Sequence, residues 1–488
     1  MMKKDIKRGF KLPFFLFIIP TLFSFNSENF TRAQELKKVI EPIIHLKDSH
    51  INFVQKVDEN LRQLRHLNWN SSLCVSFIQD KIQKIDSLTS NSFYPQTESE
   101  KIELKEKGLE TLNKLFLIRQ LVRSHLIHLK ENTAENYKCI QSIKTVTRYI
   151  RFIEEMLLEW LNDQGVFIQN SLDSEINVGD IFLIRSDSYV SAMMARIGDV
   201  ESPFSHIAIV GLNNEDEKVI VEALIPYGTK VSKLDSWILE KPARLVHLRF
   251  KDSKIALKSG QKAFRLSQEY YIKNKKSIPY DFHMNSQDQN QLFGAELIED
   301  AYLQGSDFKV QLPEHKTLIT KFKSTVFMKS MGIEAESLFS PGDIEFDSRF
   351  ELLSEERYLP KLRNVRMQDA IIQSIYNWMI VKNYQFVNSL GIEVKTFLTK
   401  ISRYFGFFKV DYPNHIPMST LRTIMQFEKI SKLLATPLSR FEKDFYIKNG
   451  HSLHFQEMLQ FLDKYRIEQC RNKAGDLDKI FSSVNCDL

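Results

Sequence analysis

The chain has 488 residues, too many for one ordinary core, so two or three domains are expected. An apolar fraction of 43% beside 26% charged residues excludes wholesale disorder. Most of the formal +6 charge sits in residues 1–33, where Lys3, Lys4, Lys7, Arg8, Lys11 and Arg32 face only Asp5 and Glu28. The remainder is close to neutral, which argues against a nucleic-acid partner.

The front segment reads as a signal peptide. Met1–Lys11 is basic, Leu12–Phe25 is apolar, and Thr31-Arg32-Ala33 offers the small residues that permit cleavage before Gln34. A membrane-spanning helix needs about 20 apolar residues, and this run is shorter and interrupted by Pro13 and Pro20. The expected location is therefore outside the cytoplasm: periplasm, cell envelope or medium. Disulfides can form there, and the cysteines number four: Cys74, Cys139, Cys470 and Cys486. Their wide spacing does not read as a zinc site, and no metal or cofactor is expected. The simplest of the three pairings is 74–139 with 470–486; the alternative is four buried thiols.

Residues 34–165 are expected to form a helical bundle. Leu36, Val39, Ile40, Ile43 and Ile44 recur at helical steps, as do Leu109, Leu112, Leu115 and Phe116, and then Ile143, Val146, Ile150, Ile153 and Leu157. Breaks near 68–72, 89–98 and 131–136 imply four up-down helices. The second and fourth then run the same way, bringing Cys74 and Cys139 to one end.

The period changes after Gly165. Ile181-Phe182-Leu183-Ile184, Ile207-Ala208-Ile209-Val210, Val219-Ile220-Val221 and Leu245-Val246-His247-Leu248 are short apolar runs bounded by turn residues, as buried strands are. Asn213-Asn214-Glu215-Asp216 reads as a hairpin turn. Helices follow at about Ser259–Ile272 and Asn290–Leu303. The fold class is α+β, with four or five strands backing a helix.

Gly179-Asp180-Ile181, Ser205-His206-Ile207-Ala208-Ile209-Val210, Val221-Glu222-Ala223, Tyr280-Asp281-Phe282 and Leu292-Phe293-Gly294-Ala295-Glu296-Leu297 together resemble the permuted papain-like hydrolases of the NlpC/P60 superfamily, the YiiX/YebB-like group. The resemblance covers about 179–303, and a weaker one, carried by Ser340-Pro341-Gly342-Asp343, continues to about 380. It implies that His206 is the base, that Glu222 orients it, and that Gly294 stands where the family has its nucleophilic cysteine. Such chemistry needs an imidazole, an acceptor that fixes its tautomer, and a thiolate at a helix N-terminus. Gly294 has no thiol, and nothing in the pattern brings Ser277, Ser286 or any cysteine to its place. The resemblance also gathers Asp180, Ser205, Tyr280, Ala295 and Glu296 around a ligand, with Glu296 a first-turn carboxylate that the helix dipole favours.

The implied function is an exported cysteine hydrolase of amidase or peptidase type, acting on cell-wall peptides or acyl amides and impaired at Gly294. Two alternatives stay open: a pseudoenzyme that binds a peptide or lipid in the cleft, and a helical interaction protein using the domain as scaffold. The expected division is 1–33 signal peptide, 34–165 helical bundle, 170–350 papain-like domain and 351–488 helical region. In the last, Ile371, Ile372, Ile375, Trp378 and Met379 form one stripe. Phe386, Leu390, Val394 and Leu398 form another, and helices run from Ser419 to about Arg471. Tyr404, Phe405, Phe407 and Phe408 are read as core, with a lipid-facing surface as the alternative.

Overall fold

The computed structural model describes residues 98–124, 134–161, 167–169, 175–225, 227–284, 290–322, 332–333, 335–387, 396, 399, 416–472, 475–483 and 486. The expected signal peptide, the helices before residue 98, Cys74, Ser286 and the run from Tyr404 to Phe408 lie outside the described residues.

Two helices come first, α1 (Glu98–Ser124) and α2 (Ala134–Leu161). They pack antiparallel, Gly108 against Leu161 and Arg119 against Glu154. Leu112, Leu115, Phe116, Ile143, Ile150, Ile153 and Leu157 are buried as their spacing predicts, whereas Leu109 is exposed.

The sheet-bearing unit then adds β1 (Phe167–Gln169), β2 (Ile181–Arg185), α3 (Tyr189–Arg196), β3 (His206–Leu212), β4 (Lys218–Leu224), β5 (Gly228–Lys233), α4 (Leu234–Ile238), β6 (Arg244–Phe250), α5 (Ser253–Asn274) and α6 (Gly294–Gly305). A short ribbon of β7 (Thr317–Leu318) and β8 (Ser337–Leu338) precedes a 3-10 turn, Pro341–Phe346, and β9 (Phe350–Arg357). The sheet has seven strands in the order β1-β9-β6-β2-β3-β4-β5, every neighbouring pair antiparallel.

Alternation along the strands sorts the side chains onto two faces. Ile181, Leu183, Ile207, Ile209 and Val221 join Ala263, Phe264, Leu297, Ile298 and Ala301 of α5 and α6 in one core. Each such side chain contributes about 1.5–3 kcal/mol by leaving water. The other face carries Phe182, Ile184, Ala208, Val210 and Ile220, covered by Trp237 of α4. Helix α5 lies close on the sheet because Gly260 has no side chain: a Cβ there would stand 2.4 Å from the Val210 carbonyl oxygen.

Three expectations change. The sheet has seven strands where four or five were expected, because the polar β5 and the charged β9 with its partner β1 join the apolar ones. The sheet does not end at residue 350, since β9 pairs with both β6 and β1. Its charged sequence hides it: Glu355 and Arg357 are buried, and Arg119 and Arg151 of the two leading helices neutralise Glu355. Phe386, placed in a helical stripe by its spacing, lies instead in a two-residue strand, β10 (Gln385–Phe386), paired with β11 (Phe481–Ser482).

Beyond the sheet, α7 (Leu359–Val381) buries Ile371, Ile372, Ile375, Trp378 and Met379 against the sheet-bearing unit and against α8 (Met418–Asn449) and α9 (Phe455–Arg471). Cys470 and Cys486 are joined, tying the tail to the end of α9. Cys139 is also disulfide-bonded, and its expected partner falls outside the described residues.

Candidate active site

Helix α6 is held to the strands at both of its ends. Near its C-terminus the Tyr302 hydroxyl donates to the Gly179 carbonyl oxygen at 2.8 Å, just before β2, and Gly179 in turn donates to Val210 of β3 at 2.8 Å. Eight helical residues back from Tyr302 is Gly294, a rise of about 12 Å. Four strand residues back from Val210 is His206, a rise of about 13 Å. The helix and the strand therefore run side by side, and the first residue of α6 meets the first residue of β3.

The geometry there is specific. A Cβ built on Gly294 would lie 3.5 Å from His206 Nδ1, 3.5 Å from the Ala223 carbonyl oxygen and 3.7 Å from Ile207 Cγ2. The other imidazole nitrogen, Nε2, is 2.7 Å from Glu222 Oε2. Register explains the pair: Glu222 of β4 sits opposite Ala208 of β3, two residues from His206, so strand alternation puts both side chains on one face. Glu222 is buried, and the His206 side chain keeps 15% of its exposure. Among the described residues His206 Nδ1 has no hydrogen-bond partner, so it faces the start of α6 with its bonding capacity intact. The first-turn N–H groups of α6, those of Gly294 and Ala295 included, have no intrahelical acceptor and leave a partial positive charge at the same point.

Glu296 belongs to the helix, not to the cleft. Its Oε2 accepts the Phe293 N–H at 3.4 Å, satisfying one orphan donor at the N-cap. Burial pushes its carboxyl up to about 8; the Phe293 N–H opposes this, and the charges of Asp281, Asp300 and Glu299 add to it. Ala295 is buried inside the same turn. Tyr280 flanks the site: Leu292 donates to Pro279 and Asp281 donates back to Leu292, clasping the Tyr280 segment to the residues that open α6. Its ring is buried against Phe282, and burial raises its hydroxyl well above the usual range. Ser205 adjoins His206, but its N–H and hydroxyl both turn back to the Ile184 carbonyl oxygen.

Asp180 is elsewhere. Its carboxylate takes hydrogen bonds from Arg249 Nε and Nη2 at 2.8 and 2.7 Å and meets His247 Nε2 at 2.7 Å. Burial alone raises its carboxyl, but Arg249 and His247 more than offset this and hold it below the usual range. His247, Phe182, Ala208 and Glu222 form one cross-strand row, so three inter-strand spacings, about 14 Å, separate the Asp180–His247 pair from Glu222. The reason is chemical: a buried aspartate is held by the Arg249 guanidinium and the His247 ring in the sheet and is consumed as an anchor.

Residues that sequence patterns did not single out also frame the site. The Ala223 carbonyl oxygen beside Gly294 is invisible to residue-type reasoning. Arg244, forked onto Glu155 of α2, donates to the Pro203 carbonyl oxygen at 3.3 Å, three residues before His206.

An antiparallel sheet backed by a helix whose N-terminus faces a strand histidine, with a carboxylate on the next strand, defines the permuted papain-like class. Residues 175–343 match a family described as permuted papain-like amidase enzyme, YaeF/YiiX, C92 family. No curated protein and no solved structure matches the chain.

Proposed function

We propose that the protein is an acyl-amide or peptide hydrolase-type protein whose site is built on His206, Glu222 and the N-terminus of α6, and which does not run thiolate chemistry because Gly294 stands at the nucleophile position. The observation that carries this reading is the two-sided engagement of His206: Nε2 on Glu222 at 2.7 Å and Nδ1 facing Gly294. A base poised between an orienting carboxylate and a helix start serves acyl transfer. The ligand is read as a peptide or acyl amide, its carbonyl bound by the orphan N–H groups of α6.

Export supports the same reading. The basic, apolar and small-residue order of the first 33 residues and the Cys470–Cys486 disulfide both favour a location outside the cytoplasm, in the periplasm, cell envelope or medium.

The test needs no substrate. In Gly294→Cys the new thiol sits beside His206 at a helix N-terminus, where imidazole and dipole lower its pKa below about 8.5. Iodoacetamide should label it faster at neutral pH than a free cysteine, and the rate should fall in the Gly294→Cys, His206→Ala double variant. A folded Gly294→Cys protein that labels no faster than free cysteine overturns the reading.

A further inference from the structure

Glycine at 294 has no conformational or packing cause. Its φ is outside the left-handed region, and a Cβ would meet only ordinary van der Waals contacts, unlike one at Gly260. What glycine changes is the approach to His206: the point a side chain would fill is left to a molecule that diffuses in. Two acceptors flank that point, His206 Nδ1 and the Ala223 carbonyl oxygen, each 3.5 Å from it. A carbonyl oxygen has two lone pairs, and Nδ1 is an acceptor whenever Nε2–H is donated to Glu222. Water has two hydrogens to give, so one water placed a few tenths of an ångström from that point can donate to both acceptors.

We propose that this site hydrolyses acyl compounds by delivering water directly, in one displacement with no acyl-enzyme. The proposal rests on the hydrolase reading above. His206 Nδ1 takes a proton as the water oxygen forms its bond to the acyl carbon, with the acyl oxygen on the first-turn N–H groups of α6. Glu222 accepts the Nε2–H of the resulting imidazolium. Collapse breaks the bond to the leaving nitrogen or oxygen, which receives the proton back from His206. The products are one carboxylic acid and one amine or alcohol, and no other reactant is needed.

The experiment uses p-nitrophenyl butyrate with the wild-type chain, Gly294→Ala, Gly294→Cys and His206→Ala. Wild type should release nitrophenol with saturation and without a burst, and rapid quench and mass spectrometry should find no butyryl adduct. Loss of the base should cost about 10²-fold or more. Gly294→Ala should fall comparably, because its methyl occupies the place of the water while the dyad is untouched. Hydroxylamine, a small nucleophile with several hydrogens to donate, should divert the product to butyrohydroxamate in wild type and not in Gly294→Ala. Gly294→Cys should instead acquire one butyryl group. A wild type no faster than His206→Ala, beside a Gly294→Cys protein that is acylated, overturns direct water delivery and leaves the hydrolase reading standing. Failure of both proteins, with slow alkylation of the Gly294→Cys thiol, overturns the two together.

Discussion

Arg119 of α1 and Glu355 of β9 meet at 2.8 Å with side chains 1% and 0% exposed. They belong to a neutral buried network in which Arg119, Arg151 and Arg357 interlock with Glu154, Glu345 and Glu355, and Lys144 of α2 joins Asp343 nearby at 2.6 Å. This network docks the leading helices onto the sheet. The Glu155–Arg244 fork continues it to the segment before His206.

Removing one member leaves the others buried and unbalanced, which costs about 3–5 kcal/mol for a buried pair. Glu355→Gln should therefore lower the denaturation midpoint strongly. The acid dependence follows as well. Burial opposes ionisation of Glu355, but Arg119, Arg151 and Arg357 hold its carboxyl well below the usual range. The unfolded carboxylate titrates near about 4.3. This stabilisation is then full above that value and is lost as pH falls through the lower folded one. Denaturant titrations from pH 7 down to 3 should show a steep acid loss in wild type and a shallower one in Glu355→Gln.

Asp180 separates fold from chemistry. Asp180→Asn weakens the bonds from Arg249 and His247 and should cost about 1–3 kcal/mol. It should leave the alkylation rate of a Gly294→Cys thiol unchanged, since Asp180 immediately precedes β2, two strands from Glu222 on β4, and its carboxylate is bound to Arg249 and His247. A fall in that rate without a fall in stability would return Asp180 to the ligand site.

The candidate site was legible through the resemblance carried by Ser205-His206-Ile207, Val221-Glu222-Ala223 and Phe293-Gly294-Ala295, while the apolar strands and the amphipathic helix showed only which elements hold those residues. Asp180 was misplaced because sequence shows a carboxylate beside a turn and not the Arg249 and His247 that engage it. Strand β9 escaped because Glu351, Glu355, Glu356 and Arg357 read as surface until α1 and α2 are laid over it. The polar run of β5, Gly228–Lys233, escaped because an edge strand half in solvent lacks the apolar signal. Phe386 was misread because spacings of four fit a helix wherever they occur, and only the tail that returns as β11 fixes it as a strand.

Glu296 makes the fold sensitive to base. The folded protein holds its proton up to about 8, chiefly through burial, whereas the unfolded chain releases it near about 4.3. Between those values the unfolded state binds fewer protons, so stability falls as pH rises and levels off above about 8. Glu296→Gln keeps an acceptor for the Phe293 N–H but cannot ionise. Its urea midpoint should exceed that of wild type at pH 9 and match it near pH 4; equal midpoints at pH 9 would mean that the Glu296 carboxyl is not held protonated.

Two glycines that look alike in sequence should behave oppositely. A Cβ at Gly260 would stand 2.4 Å from the Val210 carbonyl oxygen and 2.6 Å from the Gly179 nitrogen, both backbone atoms that cannot swing aside. Gly260→Ala must push α5 off the sheet and should cost about 1–3 kcal/mol. A Cβ at Gly294 meets nothing closer than 3.5 Å, and alanine starts a helix with less entropy to lose. Gly294→Ala should then be as stable as wild type or up to about 1 kcal/mol more so, read from urea midpoints. If Gly294→Ala instead loses as much as Gly260→Ala, glycine stands at 294 to let the chain pack. Its missing side chain then says nothing about how His206 is used.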